Sequence, residues 1–133
     1  MARTVQMTFD ADDPERLVGF WCEVLGYVRE PLPAAVRAEL EAMGLDPDGS
    51  GRMFAAAVDP EGAGPRLLAL KVPEGKTAKN RLHLDVRIGG AEAIPGEVER
   101  LVALGATHLG DFSEHGSTWA TLQDPEGNEF CVG

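Results

Sequence analysis

Cysteine is scarce in this chain, basic side chains are outnumbered, and no apolar run approaches the length of a membrane span. Only Cys22 and Cys131 occur, too few for a disulfide framework. Both sit in apolar stretches where a reduced thiol acts as a small hydrophobe, and a single bridge between them stays open. No run of about eighteen apolar residues is present and no charged-then-apolar leader follows Met1, so neither a transmembrane span nor a secretory signal is expected, and the expected location is cytoplasmic. Twelve Lys and Arg face 22 Asp and Glu, a formal net charge of -10. That balance argues against nucleic acid and anionic membrane surfaces as partners. There is no Gly-rich phosphate loop, nucleophile elbow or Cys-rich metal motif. What is present is 133 residues, 44% apolar and 26% charged, the length and composition of one ordinary globular domain open to small molecules or proteins.

The chain echoes itself. Asp59-Pro60-Glu61-Gly62 returns 65 residues later as Asp124-Pro125-Glu126-Gly127, and Leu25-Gly26 returns 79 residues later as Leu104-Gly105. The two displacements differ by 14 residues, which the first half carries between Gly26 and Asp59. Within that stretch Pro33 to Met43, followed by Gly44, spaces Val36, Leu40 and Met43 as a short helix with a glycine stop. Two copies of one module, the first with an inserted helix at about 33–44, is the economical reading. The first module would run to about residue 75 and the second from about 80 to 133, within a single domain.

Each module reads as strand, helix, then strands. Residues 3–10 alternate Val5, Met7 and Phe9 against Thr4, Gln6, Thr8 and Asp10, the period of a half-buried strand. From Pro14 to Leu25 an apolar stripe of Leu17, Phe20, Trp21, Val24 and Leu25 follows the cap Asp13 and ends at Gly26. Arg81 to Ile88 repeats the alternation, with Leu82, Leu84, Val86 and Ile88 inward. A helix from about Pro95 to Leu104 follows, with Val98, Leu101 and Val102 inward. Segments 52–58, 65–72, 106–112, 117–122 and 129–132 are the other expected strands, and both Asp-Pro-Glu-Gly segments are expected turns. Helices would cover the apolar sheet faces, leaving polar faces with Gln6 and His83 at corresponding points to line a concavity.

Phe20-Trp21, Leu25-Gly26-Tyr27, the run from Lys79 to Val86, Leu101 to Ala106 and Asp124 to Val132 together resemble the glyoxalase-like branch of the vicinal oxygen chelate superfamily, which includes glyoxalase I, bleomycin-resistance proteins and extradiol dioxygenases. The resemblance spans nearly the whole chain apart from the inserted helix. It implies an α+β fold of paired βαβββ modules whose mixed sheets curl around a cleft, often in a homodimer. It also implies, in metal-using members, ligands on the first and last strands of each module. Carried over by position these are Gln6 and His83. The glutamate expected three residues after Asn128 is Cys131 here, and the first module's last strand offers only Leu68 or Leu70. A catalytic divalent site needs about three protein donors. Gln6 and His83 supply two, and Cys131 as a thiolate third would favour zinc over nickel or iron. Glu129 shares a strand face with Cys131 but, beside a turn, reads as solvated.

Two functions follow as expectations. The favoured one is a metal-free cleft holding a small polar or anionic molecule, lined by Gln6, His83, Leu70, Trp119 and Cys131. Six of the twelve basic residues fall between Arg66 and Arg87 against Glu74 and Asp85 alone, a local positive field suited to a carboxylate or phosphate, although Lys76 and Lys79 also fit a solvated loop. The alternative is a lyase, isomerase or dioxygenase using a divalent metal (zinc, nickel, iron or manganese) at Gln6, His83 and a third donor, with Asp85 moving the proton. Asp85 and Arg87 otherwise read as an ion pair. His115 reads as a solvated turn residue, His108 as a half-exposed strand residue, and Trp21 as core. A third option, protein docking on the inserted helix, rests on Val36, Leu40 and Met43 needing a partner.

Overall fold

A computed structural model describes residues 1–49 and 52–133, in two compact units, Met1–Gly75 and Lys76–Gly133. In the first unit the order is β1 (Gln6–Ala11), α1 (Pro14–Leu25), β2 (Val28–Arg29), α2 (Ala34–Ala42), β3 (Phe54–Val58) and β4 (Arg66–Lys71). In the second it is β5 (Leu84–Val86), a 3-10 turn, α3 (Ile94–Ala103), β6 (Thr107–Glu114), β7 (Ser117–Gln123) and β8 (Glu129–Val132). The sheets are ordered β1-β4-β3-β2 and β5-β8-β7-β6. In each, the first strand pairs parallel with the last and the other ladders are antiparallel. The chain is thus α+β, built of two βαβββ modules with α2 inserted in the first.

Local chemistry fixes the helix ends. The Asp13 carboxylate accepts from the Arg16 amide at 3.1 Å and Pro14 opens α1, satisfying one orphan donor where proline loses nothing. Gly26 closes the helix at φ 71 with its N–H on the Cys22 carbonyl, a left-handed position that glycine occupies without a Cβ penalty. The buried stripe of Leu17, Val18, Phe20 and Trp21 lies over β3 and β4, whose inward residues Ala55, Ala57, Leu67 and Ala69 are buried. Small alanines let the aromatic helix face come close. In the second unit Ile94 and Leu101 of α3 are buried with Ala120, Leu122, Phe130 and Val132. Val102, expected inward, is exposed; the inward row is Ile94, Val98 and Leu101, at i, i+4 and i+7.

The Asp-Pro-Glu-Gly turns share one mechanism. Asp59 accepts from the amides of Glu61, Ala63 and Gly64 at 2.7–3.0 Å. Asp124 accepts from the amides of Glu126 and Asn128 at 2.9 and 3.0 Å and from Asn128 Nδ2 at 2.9 Å. In each, the closing glycine (Gly62 φ 72, Gly127 φ 86) returns its N–H to the aspartate carbonyl, so the side chain stands in for absent ladder partners.

Several expectations are corrected. The first strand begins at Gln6, and Val5 is exposed. The expected strand Arg81–Ile88 shrinks to Leu84–Val86, Leu82 is 78% exposed, and His83 precedes the strand instead of standing in its middle. The ladder stops there because Asn80 engages β8 otherwise: its amide donates to the Glu129 carboxylate and its Nδ2 to the Glu129 carbonyl, both at 3.0 Å. Helix α2 forms where expected, yet holds no buried residue, and Met43 is 71% exposed. His115 and Gly116 both have positive φ (50 and 77) between the paired Glu114 and Ser117, a two-residue hairpin turn of the kind that matches strand twist.

Candidate functional site

The outward face of the second sheet gathers the chemistry. Residues alternate across a strand, so burial of Phe130 and Val132 turns Glu129 and Cys131 outward on β8, and burial of Ala120 and Leu122 turns Trp119 and Thr121 outward on β7. Asp85 is the direct ladder partner of Cys131, and His83 lies two residues before it on the same face. These side chains, with Lys79 and Arg87, line a cavity of about 450 Å³, within the range of small-molecule sites. Trp119 stacks on its cross-strand partner Phe112 with ring centroids 5.9 Å apart, leaving a half-buried aromatic wall.

His83, Asp85 and Cys131 each bring one potential metal-ligating atom within 4.8 Å of the other two. His83 Nε2 is 3.2 Å from Asp85 Oδ1, and Cys131 Sγ is 3.4 Å from Thr121 Oγ1. The expected ion pair between Asp85 and Arg87 is replaced by the contact with His83. Arg87 lies past the last β5 residue, where the chain turns toward Gly89, and makes no ion pair among the described residues. Both cysteines are free thiols, Cys22 buried and Cys131 half-buried. Burial pushes the Cys22 thiol up.

Glu129 corrects a further expectation. Its side chain is only 12% exposed and ion-paired with Lys76 Nζ at 3.0 Å. Desolvation would raise its pKa, but the Asn80 amide and the Lys76 ammonium prevail and bring it down to about 2. Lys76 is therefore a structural cation, while Lys79 stays exposed and makes no ion pair among the described residues. Sequence reasoning missed this pairing because nothing local signals a contact about fifty residues away; the only hint was Asn80 within the Lys79–Val86 motif. His108 Nε2 sits 2.9 Å from Asp111, and the His115 side chain is 90% exposed beside Glu114.

Gln6 and Leu70 belong to the first unit, four ladder positions apart on β1 and β4. Gln6 Oε1 accepts from Arg66 Nη1 at 2.8 Å and its Nε2 donates to Thr8 at 3.2 Å, and Arg66 is itself paired with Glu30. The ladders give the equivalences between modules. Ala57 pairs with Leu67 and Leu122 with Phe130, which makes Leu68 the counterpart of Cys131. The parallel ladders then match Thr8 with Asp85 and Gln6 with His83. Where the second unit has imidazole, carboxylate and thiol, the first has amide, hydroxyl and leucine.

Paired βαβββ modules of this topology define a vicinal oxygen chelate protein. The chain belongs to the glyoxalase-like domain family of that superfamily, whose family model matches residues 6–133. A comparison with curated proteins finds no match. Among solved structures, the chain is similar to a glyoxalase/bleomycin resistance protein/dioxygenase family enzyme from Burkholderia phytofirmans PsJN (TM-score 0.69, 17% identity, covering 98% of this chain and 97% of that one). It is similar also to a possible glyoxalase from Bacillus cereus (TM-score 0.67, 16% identity, 99% and 98%). A third is a variant of the fosfomycin resistance protein FosX from Listeria monocytogenes, complexed with Mn(II) and 1S,2S-dihydroxypropylphosphonic acid (TM-score 0.68, 11% identity, 99% and 89%). At these identities the likeness is one of fold. No helix among the described residues is long and apolar enough to cross a membrane.

The metal that some superfamily members use can be tested against the residues present. In the first unit a guanidinium already occupies the Gln6 oxygen, which opposes a dication there. In the second, three donors of mixed hardness converge. That donor set fits a borderline-soft cation and not an all-oxygen site.

Proposed function

We propose that this protein binds a small anionic molecule, a carboxylate, phosphate or phosphonate, in the second unit's cavity. The observation that carries the reading is that Lys79 and Arg87 both line the cavity and neither has an ion-pair partner among the described residues. A cation left without an internal partner beside an aromatic wall of Trp119 suits a ligand with one charged and one apolar end. A cytoplasmic homodimer belongs to the same reading through the family resemblance, and exposed Leu109 and Phe112 on β6 give the dimer apolar surface. Lyase, isomerase or dioxygenase chemistry on this scaffold would draw on a metal to polarise adjacent substrate oxygens, and the side chains that would hold it here are His83, Asp85 and Cys131. Asp85 would then serve as ligand and not as proton carrier.

Calorimetric titration of the metal-free chain with phosphate, alkyl phosphonates and carboxylates tests the reading. Arg87→Ala should weaken the best binder by about 10- to 100-fold, the loss of a charge-assisted hydrogen bond, with Lys79→Ala additive to it. Absence of heat from every anion, or affinities unmoved by both substitutions, would sink the proposal.

A further inference from the structure

The geometry points to a zinc-class metal site contained within the second unit, with His83, Asp85 and Cys131 as ligands and an open position toward the cavity. This ligand set differs from the one implied by resemblance: Asp85 takes the place of Gln6, and both donor strands belong to one sheet. The register makes the placement a backbone property. Asp85 and Cys131 are direct partners on the parallel pair β5 and β8, and His83 shares Asp85's face two residues earlier. Their donor atoms already lie within 4.8 Å of one another. Ligand atoms on one zinc stand about 3.5 Å apart, so a closing movement of about 1 Å suffices. The His83 and Asp85 side chains are roughly half exposed and free to make it.

Softness selects the metal. A thiolate beside imidazole and carboxylate favours zinc or cobalt over magnesium or manganese, and metal binding itself drives off the thiol proton. Thr121 Oγ1, 3.4 Å from Cys131 Sγ, supplies a hydroxyl that can donate to the sulfur once the proton has left, the outer contact that orients such ligands. The first module's counterparts Gln6, Thr8 and Leu68 include a leucine and an amide already holding Arg66, so the duplication provides this site once. The inference stands apart from the anion reading, since its probe is the metal alone.

The experiment is cobalt(II) titration of the full, reduced chain, followed by displacement with zinc. A near-ultraviolet thiolate-to-cobalt charge-transfer band is expected in the unmodified chain. Cys131→Ser should abolish the band and lower zinc affinity at least about 100-fold, beyond what loss of an outer partner does, while Thr121→Val should lower it about 10-fold with the band kept. Asp85→Asn should lower affinity and keep the band. Gln6→Ala decides between ligand sets: unchanged zinc affinity supports the site, and a loss as large as that of Cys131→Ser overturns it. Cys22→Ser assigns the sulfur if Cys131→Ser fails to fold: a band kept in Cys22→Ser supports the site and a band lost there overturns it, as does no band with no zinc binding in the unmodified chain.

Discussion

Glu129 is buried enough to need partners and has them, which ties its ionisation to folding. Its pKa falls from 4.5 to about 2, so the folded state holds fewer protons than the unfolded one in that interval. The stabilisation it gives is complete above about pH 4.5 and disappears as pH falls toward 2. Glu129→Gln should therefore cost roughly 1.5 kcal/mol at neutral pH, the low end for hydrogen bonds to a charged group. Its urea midpoint should also decline less steeply than that of the parent between pH 4.5 and 2. Parallel profiles would show that the Lys76 and Asn80 contacts carry no net energy. Asp124 makes a sharper case at neutral pH. It is 3% exposed, and Asp124→Ala would strand the amides of Glu126 and Asn128, at roughly 2–3 kcal/mol. Asp59→Ala in the more exposed first turn should cost distinctly less, because water reaches its amides. Denaturation of the two variants side by side checks the order. The sequence shows that both aspartates make turns, since turn chemistry is local; it does not show which is buried.

Elements were legible in proportion to how much of their stabilisation is local. Helix α1 spans Pro14–Leu25 as cap, proline and glycine indicate, because each signal acts within a few residues of the helix end. The alternation of Leu82, Leu84, Val86 and Ile88 predicts a longer strand than β5, whose partner β8 begins only at Glu129, a fact of pairing that alternation cannot express. The inserted helix shows a similar limit: its periodicity is real, yet it buries no residue. Substitution there should be cheap. Val36→Ala and Leu40→Ala should each cost under about 1 kcal/mol, whereas Leu17→Ala, fully buried in α1, should cost about 2–5 kcal/mol. Equal losses would mean α2 packs in solution against something that covers its half-buried side. Gly26→Ala should cost about 1 kcal/mol from the left-handed φ alone, since no atom lies within 4 Å of the added Cβ.

For the whole molecule, the duplication was readable from eight residues of turn sequence, because a βαβββ module needs the same tight turn between its last two strands in each copy. The asymmetry of the site was half readable: Cys131 and a leucine, Leu68 or Leu70, were visible as departures, but the choice of Leu68 and the placing of Asp85 beside Cys131 required the ladders. Charge at this scale leads to a kinetic prediction for the proposed anion site. The chain carries -10 overall, while the cavity cations Lys79 and Arg87 act on a bound anion at contact distance. At about 0.01 M salt the screening length is about 30 Å and the incoming anion feels the repulsion of the whole chain; at about 0.15 M it is about 8 Å and chiefly the cavity is felt. Contact hydrogen bonds are far less screened. Association of the anion should thus quicken as salt rises from about 0.01 to 0.15 M, with dissociation nearly unchanged, the reverse of the slowing seen when opposite charges steer encounter. Arg87→Ala should raise the dissociation rate at both salt concentrations. Stopped-flow binding of a fluorescent phosphonate resolves the two rates. Association that slows with salt would mean that the local cations, and not the net charge, govern the approach.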